Sequence, residues 1–356
     1  MRTHRVALIP GDGVGHEVLP AAWAVLTAAG ARHGFSLTGE EFDWGCERYV
    51  ATGSMMPADG VAQLRHLDSI LLGAVGFPGV PDHISLWGLL IPLRREFDQY
   101  VNLRPIRVFD GAPGPLRDAV GTDLVVVREN VEGEYSDVGG RAYTGTPWEQ
   151  ASQQSLFTRR GIERVTRYAL DLTQRRRGRL TSATKSNGII HTMPFWDEVV
   201  ADLVEQRRIS GQDVDFASEH IDALAAKIVL QPKEYDVIVA SNLFGDILSD
   251  LAAAVAGSIG IAPAGNINPE REFPSMFEPV HGSAPDIAGQ GVANPLGAIW
   301  AGVMMLEHLG EAEAAAEVFG AMTAVVNQSV CLTRDLGGSA STREVADAVI
   351  ERLPAG

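Results

Sequence analysis

The sequence predicts an α/β fold, because short β-branched runs alternate along the chain with segments of helical apolar spacing. Arg5–Ile9 reads as a buried strand; a Gly-rich turn follows, and Val18, Ala22, Val25, Leu26 and Ala29 then share one helix face. With 356 residues, 46% hydrophobic and 21% charged, the chain can bury a sizeable core, which excludes a disordered polymer. The length suits one large domain or two ordinary ones.

The remaining elements follow in order. Asp68–Leu72, Asp123–Val127 and Asp236–Ala240 read as strands, each bounded by turn or polar residues. Ile162, Val165, Ala169 and Leu172 form the apolar stripe of a helix ending at Arg175-Arg176-Arg177-Gly178, where cations suit the negative end of the helix dipole. Leu296–Leu309 and Glu311–Asn327 read as late helices, and Ser341–Leu353 as a C-terminal one. Gly73–Pro92 and Ile259–Pro285 read as irregular, and loops of that length in a compact domain are usually functional.

Charge and cysteine content exclude several function classes. Lys and Arg number 29 against 45 Asp and Glu, a net charge of −16, which argues against nucleic acid and anionic membranes as partners. Cys46 and Cys331 are too few for a disulfide framework or a cysteine zinc site. The first apolar run stops at Pro10-Gly11-Asp12, too short for a signal peptide, and residues 251–264 are too short for a membrane span. The expectation is a cytoplasmic protein. Only Lys185, Lys227 and Lys233 are lysines among the 29 cations, so each is a candidate for proton transfer, which Arg cannot perform.

Gly11-Asp12-Gly13-Val14-Gly15 lies between a strand and a helix, but its spacing is not the G-x-G-x-x-G of a dinucleotide-binding Rossmann unit. It signals a tight turn with close backbone approach. Arg94, Arg104 and Arg128 are either surface ion-pair members or, taken together, clamps for a substrate with more than one carboxylate. Asp246 and Asp250, one helical turn apart, share a face; a divalent cation would offset their repulsion, and placement at a helix N-terminus explains Asp246 equally well. Lys185, among hydroxyls and an amide, is either a surface lysine or a base, and Tyr135 an acid or a packed aromatic. Asp222 opens a helix. The stretch from His281 through Gly282, Ser283, Ala284 and Asp286 to Asn294 is either an ordinary loop or one that holds a phosphate, with Asp286 accepting from a ribose diol and repelling a 2′-phosphate.

These segments, in this order, resemble the isocitrate/isopropylmalate dehydrogenase family over essentially the whole chain. The motifs that carry the resemblance are residues 9–15, Asn102-Leu103-Arg104-Pro105, Val127-Arg128-Glu129-Asn130, the block 241–250 and the loop 281–286. The resemblance implies a two-domain fold that is not Rossmann, with a mixed sheet flanked by helices. A large NAD-binding domain would comprise residues 1–102 and 257–356, and a small central domain, 103–256, would carry substrate, metal and dimer contacts. It also implies that Arg94, Arg104 and Arg128 bind substrate carboxylates. Asp246 and Asp250, with Asp222 of the partner subunit, would bind Mn²⁺ or Mg²⁺. Lys185, also from the partner, would be the base and Tyr135 the acid. His281, Gly282, Ser283, Ala284, Asp286 and Asn294 would line the NAD site. A homodimer or dimer of dimers with shared sites follows, and the resemblance allows a K⁺ requirement.

Residues 80–88 and 97–101 resemble the tartrate and D-malate branch of that family. Isocitrate enzymes place Ser and Asn where Gly88 and Leu90 stand here. Isopropylmalate enzymes keep two leucines, as at Leu89 and Leu90, but have Glu in the place of Trp87. An indole there reduces the space for a 3-substituent. The expected reaction is therefore NAD- and metal-dependent oxidative decarboxylation of D-malate to pyruvate and CO₂, with tartrate as an additional substrate. Isopropylmalate dehydrogenase is the enzymatic alternative, and a non-catalytic subunit of the same fold the alternative of another class.

Overall fold

The computed structural model describes residues 2–112, 114–116, 119–257 and 259–354. The chain divides into two compact units: residues 1–99, 103–122 and 253–356 form the first, and residues 100–102 and 123–252 the second. Residues 103–122 thus group with the chain ends, whereas the sequence reading put them in the central segment. The reason is local packing: Phe109 is buried edge-on to Trp300 at 5.8 Å, and the Val108 N–H donates to the Thr122 carbonyl.

In the first unit, strands Phe35–Glu41, Arg2–Gly11, Ser69–Ala74, Ser275–Pro279 and Pro263–Ile267 lie side by side in that order. The first four are parallel and the last pairs antiparallel, so the expected mixed sheet is found. Helix Gly15–His33 buries Val18, Ala22, Val25, Leu26 and Ala29, the face its spacing predicts. Helix Leu296–Leu309 is buried on every side through Leu306, as a core helix must be when apolar all round. Helices Ala312–Asn327 and Thr342–Glu351 complete the layer, the latter opened by a Ser341–Glu344 capping box.

Residues 259–285 are not a loop, as the sequence reading had them. They hold two buried strands whose Pro263, Gly265 and Asn266 conceal the usual β-branched signal. Their buried polar groups are satisfied: Ser275 Oγ accepts the Asn268 N–H at 3.0 Å, and Asn266 Nδ2 donates to Glu278 at 2.8 Å. Residues 73–92 likewise contain a short helix, Asp82–Ser85, and a π-helical turn, Leu86–Leu90.

The second unit orders Asp123–Glu129, Val237–Ala240, Arg179–Thr184 and Asp215–His220 as parallel strands. Helices Arg159–Arg175, Thr192–Ile209, Ile221–Leu230 and Asn242–Val255 accompany them. A two-stranded hairpin, Gly139–Ala142 with Gln150–Gln153, stands exposed. No helix among the described residues is long and apolar enough to cross a membrane.

The Arg175–Arg177 run sits at its helix end as expected, but two of its side chains bind elsewhere. Arg176 donates to Asp236 at 2.7 Å and to Asp123 at 2.8 Å, and the Arg177 guanidinium reaches the Tyr235 carbonyl. Asp236 is wholly buried, and its second oxygen accepts the Arg177 N–H at 2.8 Å. Breaking a buried pair leaves an uncompensated charge, so Asp236→Asn is expected to lower unfolding free energy by about 3 kcal/mol, read as a lower urea midpoint. An unchanged midpoint would show the pair to be energetically idle.

Candidate active site

The parallel strands of the second unit deliver candidate residues at their C-terminal ends, where open α/β sheets bind ligands. Arg128 is the penultimate residue of Asp123–Glu129. Lys185 directly follows Arg179–Thr184, so it stands at a strand end and not in the irregular segment the sequence suggested. Asp222 is the second residue of the helix that follows Asp215–His220. Ser241 links Val237–Ala240 to the helix bearing Asp246 and Asp250.

That helix buries Phe244, Leu248 and Ala252, four residues apart, and leaves Asp250 and Ile247 exposed. It approaches the Arg128 strand so closely that a Cβ at Gly245 would lie 2.6 Å from the Arg128 Cβ. Only glycine fits there, and the close approach brings Arg128 onto Asp246, whose carboxylate it pairs. Asn242 Oδ1 accepts from Arg128 Nε at 3.1 Å and Nη2 at 2.6 Å, fixing the guanidinium plane. Tyr135 Oη donates to the other Asp246 oxygen at 2.9 Å, and its ring lies under the Arg128 guanidinium at 5.5 Å. A buried cation, a carboxylate and a phenol thus meet in one cluster.

Lys185 Nζ donates to Asp222 Oδ1 at 2.7 Å. The ammonium holds the Asp222 carboxyl below its ordinary range, chiefly through that hydrogen bond. Among the described residues, no three Asp, Glu, His or Cys side chains gather around one point. Asp246 and Asp250 stand one turn apart on helix Asn242–Val255, and Asp222 pairs with Lys185. Hard carboxylate oxygens a turn apart are the donor chemistry that Mg²⁺ and Mn²⁺ take.

The other candidates lie in the first unit. Arg94 is buried in helix Ile91–Glu96, donates to Glu278 at 3.2 Å, and keeps a buried Nε–H with no partner among the described residues. An unmet guanidinium donor suits an incoming carboxylate. Arg104 is buried in strand Val101–Arg107. Trp87 occupies the π-helical turn that leads directly into helix Ile91–Glu96 and carries the Arg95 guanidinium 5.1 Å over its ring.

A cavity of about 780 Å³ in this unit is walled by Val14, His281, Ala284, Ile287, Asn294 and Asp335, among others. Of the predicted nucleotide residues, His281, Ala284 and Asn294 line it; Gly282, Ser283 and Asp286 are in the same loop without forming its wall. The loop is bolted down: the Val14 N–H donates to the Ser283 carbonyl at 2.9 Å, and Asn294 Nδ2 to Asp335 at 2.8 Å. A Cβ at Gly11, in the turn that leads to Val14, would lie 1.8 Å from the Ala74 carbonyl, the close approach that turn requires. The buried Asp12 carboxylate accepts backbone N–H groups from Cys46, Glu47 and Gly76 at 2.8, 3.1 and 2.9 Å. Burial lowers the His281 pKa, and its Nε2 is buried without a partner among the described residues. An unpartnered imidazole nitrogen in an apolar wall fits the polar edge of an adenine, which is the group NAD would present.

Sequence reasoning missed Asn242, Glu134 and Asp335, all of which act on other site residues through the fold. It also missed Glu129, a carboxyl fully buried beside Arg128. Burial pushes it up from 4.5 to about 8, against the pull of the Glu132 and Val131 N–H groups. A raised carboxyl pKa means that the folded state holds the proton longer. This contribution is full below the unfolded pKa near 4.5 and fades as pH rises to about 8. Glu129→Gln is therefore expected to flatten the fall of the urea midpoint between pH 5 and 8, and an unaltered slope would refute the assignment.

The family model described as isocitrate/isopropylmalate dehydrogenase matches residues 5–349. The chain is 53% identical to "D-malate dehydrogenase [decarboxylating]" of Escherichia coli (strain K12), covering 98% of each. It is 51% identical to "Tartrate dehydrogenase/decarboxylase" of Pseudomonas putida, covering 98% of this chain and 97% of that one. Among solved structures, isocitrate dehydrogenase from Methylococcus capsulatus aligns with a TM-score of 0.88 at 33% identity, covering 98% and 99% of the two chains. The β-decarboxylating dehydrogenase of Thermococcus kodakarensis aligns at 0.79 and 36%, covering 98% and 96%. With its α/β architecture, its strand-end cluster and these likenesses along nearly its full length, the chain is an oxidoreductase belonging to the isocitrate/isopropylmalate dehydrogenase family.

Proposed function

We propose that this enzyme carries out NAD- and divalent-metal-dependent oxidative decarboxylation of D-malate to pyruvate and CO₂ in the cytoplasm, with tartrate as an additional substrate. The observation that carries the reading is the Arg128–Asp246–Tyr135 cluster, which unites a carboxylate clamp, a metal ligand and a proton donor. Relatives named for D-malate and tartrate at 51–53% identity support the substrate class. Trp87 supports a small substituent at C3, because an indole takes the room that a branched side chain needs.

Asp246 and Asp250, with Asp222 of a second copy, would hold Mn²⁺ or Mg²⁺, and the loop from His281 to Asn294 would hold NAD. The cation would supply Lewis acidity toward the 2-hydroxyl oxygen, and the dinucleotide would supply a hydride acceptor for C2. Arg94, Arg104 and Arg128 orient the substrate through its carboxylates. Lys185, supplied by the second copy in a homodimer, removes the hydroxyl proton at Nζ. In that role it acts in its neutral form, which has the lone pair that an ammonium lacks. After CO₂ departs, Tyr135 Oη returns a proton to C3. Asp286, exposed on its loop, favours a ribose diol over a 2′-phosphate and hence NAD over NADP.

The test is a kcat/KM panel over D-malate, the tartrate isomers, isopropylmalate and isocitrate, with each metal and with NAD and NADP. D-malate or tartrate with NAD is expected to lead. Strong activity on isopropylmalate with none on D-malate or tartrate overturns the proposal.

A further inference from the structure

We propose that Glu134 is a positioning residue: its carboxylate ties the segment bearing Tyr135 to the first turn of the helix bearing Asp246 and Asp250, and so sets the proton donor against the metal face. The inference rests on the roles of Tyr135 and the two aspartates proposed above.

Both Glu134 oxygens are engaged within the second unit. Oε1 accepts from Ser241 Oγ at 2.7 Å, and Oε2 accepts from the Leu243 N–H at 3.0 Å. The Leu243 N–H is one of the first-turn donors that no carbonyl of its own helix can satisfy. A carboxylate there also meets the positive end of the dipole of a 14-residue helix. One residue further on, Tyr135 Oη grips Asp246 in the next turn at 2.9 Å. Two neighbouring residues thus hold two successive turns of the same helix. A third tie, from Asn242 Nδ2 to the Glu132 carbonyl at 3.0 Å, draws in the residue before Gly133.

A helix cap alone does not account for this arrangement. Ser241 stands just before the helix, where a serine ordinarily accepts a first-turn N–H with its own hydroxyl. Here that hydroxyl donates to Glu134, 107 residues earlier in the chain, and Glu134 takes the first-turn N–H instead. Local capping is replaced by a long-range tie that ends beside Tyr135. The tie limits the play between the phenol and Asp246, and a misplacement of about 1 Å at a reacting group can cost about 100-fold in rate.

Glu134→Ala, Glu134→Gln and Ser241→Ala test the assignment. Glutamine keeps the geometry without the charge, since its oxygen accepts from Leu243 and its amide donates to Ser241 Oγ. In Glu134→Ala, kcat on D-malate with Mn²⁺ is expected to fall by about 10- to 100-fold with the KM for NAD unchanged, and Glu134→Gln to recover most of the loss. Ser241→Ala is expected to add little to the alanine variant, because both cut the same tie. Free Mn²⁺ measured by electron paramagnetic resonance reads the aspartate face without turnover. Glu134→Ala is expected to weaken binding by about threefold, less than the roughly 10-fold loss typical of a ligand's direct partner. Glutamine as damaging as alanine, or an alanine variant that keeps wild-type kcat and Mn²⁺ affinity, overturns the proposal. Wild-type protein that binds Mn²⁺ but ignores D-malate and tartrate strikes the substrate reading instead, and the Mn²⁺ titration then decides the role of Glu134.

Discussion

Lys185→Met is expected to lower kcat by about 10³- to 10⁴-fold while leaving the fold and NAD affinity intact, since a positioned general base contributes about 10²- to 10⁴-fold. Methionine matches the apolar stem of lysine and lacks the nitrogen. Lys185 is partly exposed and pairs with the exposed Asp222, so the loss of this surface pair costs little stability. The expected signature is a collapsed kcat at an unchanged melting temperature. The same variant tests the shared site. Mixed with an inactive Asp246→Asn variant under conditions that exchange subunits, it forms hybrids in which one site regains both residues. About a quarter of wild-type activity should then return, because half of the dimers are hybrids and each has one intact site. Unshared sites would give no recovery, and turnover retained in Lys185→Met alone would point to another base.

Asp246→Asn should be the most damaging change at the cluster. Asp246 takes the Arg128 guanidinium on one oxygen and the Tyr135 hydroxyl on the other, so its loss would strike the proposed clamp, donor and metal ligand together. Loss of the cation's charge stabilisation, worth several kcal/mol, corresponds to a fall in kcat/KM of about 10³-fold. Mn²⁺ titration should show weakened binding alongside the loss of rate. Arg128 is buried, with Asn242 as a further partner, so stability should fall modestly, by about 1–3 kcal/mol. An Asp246→Asn protein with wild-type Mn²⁺ affinity would remove this residue from the metal set.

The reach of the sequence differs from strand to strand. Leu124–Val127 and Val237–Ala240 were legible because a parallel strand buried on both faces reads as a continuous apolar run. Arg179–Thr184 was not, because its buried positions are filled by Thr181, Ser182 and Thr184, whose hydroxyls also suit loops. That one omission placed Lys185 in an irregular segment when it terminates a strand. The Asp246–Asp250 pair was visible as an i, i+4 spacing, yet nothing local shows that Gly245 is the gap through which Arg128 reaches it. Trp87 was read for its size alone; the π-helical winding of its turn, with Leu89 buried, was not legible.

The chain by itself determined the α/β alternation and the family, and it supplied the residues proposed for carboxylate, metal and nucleotide binding. Those properties are local: periodicity, charge and short motifs are written in consecutive residues. Only the tertiary structure decided that residues 103–122 pack with the chain ends, that Lys185 meets Asp222, and that Glu134 replaces a local helix cap. Each of these joins groups tens of residues or more apart, and such pairings are set by strand order and by which buried polar atom finds a partner. No window of neighbouring residues carries that information.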